Sequence, residues 1–323
     1  MSITVRKYRK SDLKEWDEFV ENSNNGTIFH LRKFLSYHPD DRFIDNSLIF
    51  EKKEKIISIF PSVLKEKESK ISLISHPGAS MGSCVVPKNF AFSDALELTE
   101  QLVSYASKNG IDRLQITLPP IIYDKRLSQY LDFAYQKSGF TYQKREVTSI
   151  LFLESTIEKS LEKFKSNHRT AVRKAEKSGI QIRQSEDFTS FFSILEKNLS
   201  IRHNVKPAHT LEEMLQLKKL FPEKIKLFGA FYKEEMIAGV VNFIVSTRVV
   251  LAFYISHMEK YQELRPINLL FYQIFKWAIQ NHLQIFDFGI FTINENPNMG
   301  LARFKENFGA SGVFRDTIEL NLI

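Results

Sequence analysis

The order of secondary-structure signals in this chain occurs twice. Three apolar stretches, 48–50, 56–63 and 70–75, are separated by polar turns, the first at 51–55. Three more, 226–232, 236–245 and 249–255, are separated by turns at 233–235 and 246–248. Short apolar runs bounded by polar turns read as antiparallel meanders. A stretch with apolar residues at helical spacing follows each: Ala95, Leu98, Leu102, Tyr105 and Ala106 in 93–109, and Leu269, Leu270, Ile274, Trp277 and Ala278 in 266–282. Each leads into a short apolar strand, 114–118 and 285–288. Each strand leads into a second helix ending near a glycine, 127–138 before Gly139 and 299–307 before Gly309. About six elements in one order, roughly 170–180 positions apart, read as two copies of one α/β unit.

The length, 323 residues, suits two domains of about 150. We expect them at 1–147 and 148–323, the second carrying the functional site. The segment 155–220 opens the second copy. It reads as a helix or two joined helices over 156–178 stopped by Gly179, a short strand at 180–183, and helices at 188–203 and 211–220, the last ended by Pro222.

The net charge of +7 suits an anionic partner: a phosphorylated substrate, a cofactor pyrophosphate, tRNA or a membrane surface. Cys84 is the only cysteine, so an internal disulfide is impossible and a reducing cytoplasm fits. The first residues lack the apolar core of a signal peptide. The apolar run 236–255 holds Asn242, Ser246, Thr247 and Arg248, which suits two strands and a turn better than a membrane span. A soluble cytoplasmic protein is expected. The scattered histidines form no HExxH-type pair, so no metal is expected, and the dinucleotide, P-loop and GxSxG patterns are missing. DNA is not an expected partner.

The most informative stretch is FDFGIFTINENPNMGLARFKENFG, residues 286–309. It reads as a strand interrupted by Asp287, a polar loop, and a helix with Lys305 one turn past Leu301. A charge at a strand mouth faced by a basic residue on the next helix is one way to build a site at a sheet edge. A buried strand and a surface helix with a solvated Lys305 fit the same letters, with Asp287 capping or pairing with a neighbour such as Arg303. In the basic helix at 159–177, Lys165, Arg169 and Arg173 recur at i, i+4 and i+8 on one face. That stripe either holds a diphosphate or tRNA backbone, or is a solvated face balanced by Glu158, Glu162 and Glu176. Arg202 and His203, ending the next helix, would join the same surface.

The order of elements resembles the GNAT acyltransferase fold, and two such units in tandem resemble its FemABX branch. KSNHRTAVRKAEKSGI (165–180) is similar to the basic helix that opens the second unit in those proteins. YQELRPINLLFYQIFKWAIQN (261–281) resembles the segment between their central strand and the following helix. FDFGIF and GLARFKENFGA (300–310) resemble the closing strand and the helix bearing a Phe/Tyr–Lys pair, and PGASMGSCVV (77–86) the glycine-containing loop of the first unit. The fold class implied is α/β (α+β, mixed sheets), with two tandem GNAT-like domains packed side by side. The chain shows no long heptad-patterned insertion and looks like a compact member.

The resemblance implies acyl transfer to an amine. Lys305 would stabilise charge in the transition state, Asp287 would orient the amine or accept its proton, and Tyr254, unless it is only an amphipathic sheet residue, would donate to the acyl carbonyl. Lys33, Lys165, Arg169, Arg173 and Arg202 would hold acceptor or donor phosphates, with Arg265 and Asn268 at the start of the 266–282 helix. Glu295, in the loop, is a weaker candidate. No tightly bound cofactor is implied; the donor is aminoacyl-tRNA or acyl-CoA. The segment 257–268 lacks the glycines that cradle the CoA pyrophosphate in ordinary GNAT enzymes. Three readings follow: a FemABX-like transferase acting on a phosphorylated, peptidoglycan-type envelope precursor; an acyl-CoA or acyl-carrier-protein dependent N-acyltransferase acting on an amino sugar, amino acid or lipid precursor; and a non-catalytic anion-binding relative. Partners would include that acceptor, tRNA and a peripheral membrane surface, for a monomer or homodimer.

Overall fold

The structure, a computed structural model, describes residues 2–39, 41–203 and 205–322, and for 201–203 the backbone alone. The chain divides into two compact units, Met1–Glu146 with Phe314–Ile323, and Val147–Val313. The last ten residues thus count with the first unit, not with the second, where the sequence reading put them. Their strand supplies the reason: Thr317–Asn321 pairs antiparallel with Arg113–Thr117.

In the second unit the meander forms as expected. Ile225–Tyr232, Glu235–Ile244 and Val249–His257 pair antiparallel in order, and Gln181–Ser185 lies outside Ile225–Tyr232. Lys233 and Glu234 take positive φ in the first hairpin turn, the backbone hand a two-residue hairpin demands. On the other side Val249–His257 pairs parallel with Ile285–Ile290, which pairs antiparallel with the end of Thr141–Phe152. The helix Pro266–Gln280 makes the crossover that a parallel pair requires. It lies in an apolar cluster with Phe286, Phe288 and Phe308, where ring centroids of Phe271 and Phe288 are 5.0 Å apart and those of Phe275 and Phe286 4.8 Å. The basic segment is two helices, Ile157–Glu162 and Ser166–Lys177. At the break, Gly309 (φ +87°) comes so close that an added Cβ would stand 2.7 Å from Lys163 Cβ.

The first unit departs from the expected meander at Pro61. The run read as one strand is two, Lys55–Phe60 in a small sheet with Leu48–Lys52 and Thr4–Lys7, and Ser62–Lys67 in the sheet with Lys70–Ser75 and Arg113–Thr117. Proline gives no N–H to a ladder, so the chain changes sheets there. The helices Phe92–Lys108 and Tyr130–Lys137 pack over an apolar core that includes Leu98, Leu102, Leu114 and Tyr135. No helix among the described residues is long and apolar enough to cross a membrane.

Candidate active site

The second unit opens where two of its strands part. Val249–His257 and Ile285–Ile290 stay paired only through Val249–Ile285, Val250–Phe286 and Leu251–Asp287. Beyond that point each strand is irregular. The register against Glu235–Ile244 slips between Val241 and Asn242, so Phe253 is an extra residue. Gly289 takes φ +77°, a conformation that side chains rarely adopt. The gap is a cleft of about 610 Å³. Ile255 and His257 line it from one strand and Phe288 from the other. Arg265, Pro266 and Asn268 line it from the start of one helix, and Leu301, Phe304 and Lys305 from the helix Met299–Glu306.

Lys305 is buried, 2% exposed, at the cleft wall. The Asn298 side chain caps its helix by accepting from the Leu301 N–H at 2.9 Å, and Phe304 and Phe308 anchor it against Phe271. The Lys305 ammonium donates to the carbonyls of Gly289 (2.6 Å) and Ile290 (2.9 Å). An ammonium has three N–H donors, so these two carbonyls take two of them. Burial lowers the Lys305 pKa to about 8, against a raising influence from Asp287.

Asp287 is equally buried and does not line the cleft. One carboxylate oxygen accepts from the Thr148 hydroxyl (2.5 Å) and from the Gly289 N–H (2.7 Å). Asp287 thus fixes the turn whose carbonyls hold Lys305. In this geometry its contacts are with the turn, outside the lining of the cleft.

Arg265 caps the Pro266–Gln280 helix in the left-handed region (φ 58°, ψ 41°) and faces the cleft. The Asn268 side chain is buried, and its amide nitrogen has no hydrogen-bond partner. Buried amides are nearly always paired, so this one is suited to a ligand in the cleft. Lys165 also reaches this neighbourhood: burial first, then the charges of Arg265 and Lys165, lower His168 to about 4. Arg169 is committed to the Phe164 carbonyl. Arg173 is exposed on its helix. Arg202 has its side chain outside the described residues. Lys33 is exposed in the first unit, and Glu295 sits in the turn between Thr292 and Pro297.

Tyr254 faces away. Its neighbour Ile255 lines the cleft, and side chains alternate along a strand. The Tyr254 hydroxyl accepts from the His209 N–H at 3.0 Å and lies 2.9 Å from His209 Nδ1. Burial pushes Tyr254 up to about 12. Tyr254→Phe should therefore leave turnover within about threefold and cost roughly 1 kcal/mol of stability. A tenfold fall in kcat with an unchanged melting curve would return the hydroxyl to the chemistry. The sequence reading missed Phe288, Ile255 and Leu301. Their apolar character is the same in cleft and core, so no signal marked them.

The first unit has the same parallel pairing, Ser72–Arg113 to Ile74–Gln115, but fills the gap with its own chain. Gly82 donates to the Thr117 carbonyl at 2.8 Å, and an added Cβ would stand 3.0 Å from Ser75 Cβ. Val85 exchanges two backbone hydrogen bonds with Ile59. Counting back four residues from the helix-ending glycine gives Lys305 before Gly309 and Tyr135 before Gly139. Tyr135 is a fully buried neutral side chain whose hydroxyl contacts Ser83 and the Cys84 N–H at 3.4 Å.

Residues 162–306 match the family profile of the acetyltransferase (GNAT) domain. The chain carries a GNAT acyltransferase domain and is an acyltransferase. Among solved structures, a crystal structure of FemX is similar over 99% of this chain and 97% of its own, with TM-score 0.74 and 13% identity. That likeness gives the chain a FemABX-like fold. The C-terminal domain of a putative lysylphosphatidylglycerol synthetase from Agrobacterium fabrum is similar over 97% and 92%, with TM-score 0.60 and 10% identity. A tandem GNAT protein from the clavulanic acid biosynthesis pathway is similar over 99% and 98%, with TM-score 0.55 and 7% identity. No curated protein matches the chain by sequence.

Proposed function

We propose that the protein transfers an aminoacyl group from the 3′ ester of a charged tRNA to an amine of a phosphorylated cell-envelope precursor of the peptidoglycan type. The observation that carries this reading is the buried Lys305 ammonium at the cleft wall, with two of its three donors held by Gly289 and Ile290. The amine nitrogen attacks the acyl carbon, and the carbonyl oxygen gains negative charge. The C–O bond to the ribose then breaks, and the leaving oxygen takes up a proton as the attacking nitrogen loses one. A fixed cation in a water-poor cleft stabilises either oxygen more in the transition state than before it.

The start of the Pro266–Gln280 helix favours this donor over acyl-CoA. Pro266 has no N–H, and the Asn268 N–H is given to the Arg265 carbonyl at 3.2 Å. The backbone cradle that a pyrophosphate needs is depleted, while the Arg265 side chain still offers a fork to one phosphate. Among neighbours in fold are proteins named as FemX and as lysylphosphatidylglycerol synthetase, which agrees with aminoacyl transfer.

The test is a transfer assay with charged tRNA and with acyl-CoA, each given to amine acceptors. Turnover with charged tRNA is expected. Turnover with acyl-CoA alone would replace this reading by the N-acyltransferase one, and none with either would favour an anion-binding relative. Arg265→Ala should raise the donor KM about tenfold, roughly 1.4 kcal/mol, and change kcat less than threefold. An unchanged KM would remove Arg265 from donor binding.

A further inference from the structure

The first unit carries an exposed aromatic patch that the transfer reading does not use. Phe92 is 41% exposed, Leu127 68%, Tyr130 45% and Phe133 51%. The Phe92 ring lies 5.3 Å from Tyr130 and 5.4 Å from Phe133, so the three rings form one surface, and Leu127 stands three residues before Tyr130 in the chain. A contiguous apolar patch of large side chains on a water-facing surface marks an interaction site. Cations border it. Arg126 donates to the Asn89 side chain at 3.3 Å, which ties the loop before Phe92 to the loop before Tyr130. Lys88 stands close enough to Lys125 to depress its pKa, after burial. Lys137 lies one turn beyond Phe133 on the same helix. Asp132 is the one acid in that helix.

We propose that this patch docks the protein on an anionic phospholipid bilayer, with Phe92, Leu127, Tyr130 and Phe133 at the acyl boundary and Lys88, Arg126 and Lys137 at the lipid phosphates. Apolar rings ringed by cations are what an anionic interface selects, because burial and charge attraction add. A second copy fits less well: a two-fold contact through this patch would set its cations against themselves, on a chain of net charge +7. Single-stranded nucleic acid also fits less well. Bases stack on open ring faces, whereas these rings meet at 63° and 51°.

The test is co-sedimentation of the full chain with vesicles of phosphatidylcholine alone or with about a third phosphatidylglycerol, at low and high salt. Binding to the anionic vesicles only, weakened by salt, is expected. Phe92→Ser with Phe133→Ser should lower it at least tenfold at both salt concentrations. Lys88→Glu with Arg126→Glu should lower it about tenfold at low salt and flatten the salt dependence. Both double variants should keep the wild-type melting curve and donor binding. Failure of the wild type to pellet with anionic vesicles would overturn the proposal, as would variants that bind like the wild type. So would a wild-type dimer that the Phe pair abolishes, or a tRNA complex that the same pair destroys.

Discussion

Lys305→Met should lower kcat at least 100-fold, and Lys305→Arg should keep about a tenth of it. The Met side chain matches Lys in length but has no charge. Removing one preorganised donor to a developing oxyanion costs about 100- to 1000-fold. Arg keeps the charge but not the fit between the two carbonyls, whose 2.6 and 2.9 Å contacts suit a compact ammonium. The wild-type rate should fall on the alkaline side near pH 8, where burial places the Lys305 pKa. Arg stays protonated there, so its variant should lack that limb. A wild-type rate that rises through pH 8 and levels off would make neutral Lys305 a base and reverse the assignment. Stability gives an independent check. The folded pKa, about 8, is below the ordinary lysine value of 10.5, so between them the unfolded chain binds more protons. The cost of burying the charge is fully present below pH 8 and is relieved as pH rises to about 10.5. Wild-type stability should gain roughly 3 kcal/mol relative to Lys305→Met over that window. Urea titrations at pH 7 to 10 measure it; parallel profiles would mean an ordinary, solvated lysine.

The repeat that organises the chain was legible because each element carries its own periodicity. The helix at 211–220 stands where its apolar spacing put it, and both helix-ending glycines take positive φ. The candidate site was legible in part. Lys305, Arg265 and Asn268 share one cleft, but Tyr254 does not. Its face depends on the extra residue at Phe253, and a bulge leaves no mark in strand periodicity. Asp287 was found, but not its place outside the cleft lining. From letters alone a charge in a strand reads as a site residue, and its contacts with Thr148 and Gly289 are tertiary facts. The filled gap in the first unit was also hidden. The glycines of 77–86 marked a loop, but that the loop enters the space between two strands is a tertiary fact.

Asp287→Ala should cost about 100-fold in kcat and roughly 2–4 kcal/mol in stability, while Asp287→Asn should nearly preserve the fold. The Thr148 and Gly289 hydrogen bonds end on the same carboxylate oxygen. An asparagine placing its carbonyl there keeps the Thr148 and Gly289 contacts and removes the charge. Alanine removes that acceptor oxygen and leaves a buried hydroxyl and N–H unsatisfied, each at about 1–3 kcal/mol. Gly289 is then released from its turn, and the carbonyls of Gly289 and Ile290 no longer hold the Lys305 ammonium in place. A displacement of about 1 Å at a catalytic group can cost about 100-fold. The Asn variant separates charge from geometry. Asp287 raises the Lys305 pKa against burial, so its loss should move the alkaline limb of the rate to lower pH. At pH 6.5, where Lys305 remains protonated, Asn should work within about fivefold of the wild type. An Asn variant as dead as Ala at every pH, with a wild-type melting curve, would make the carboxylate itself part of the reaction, as a proton acceptor rather than a support.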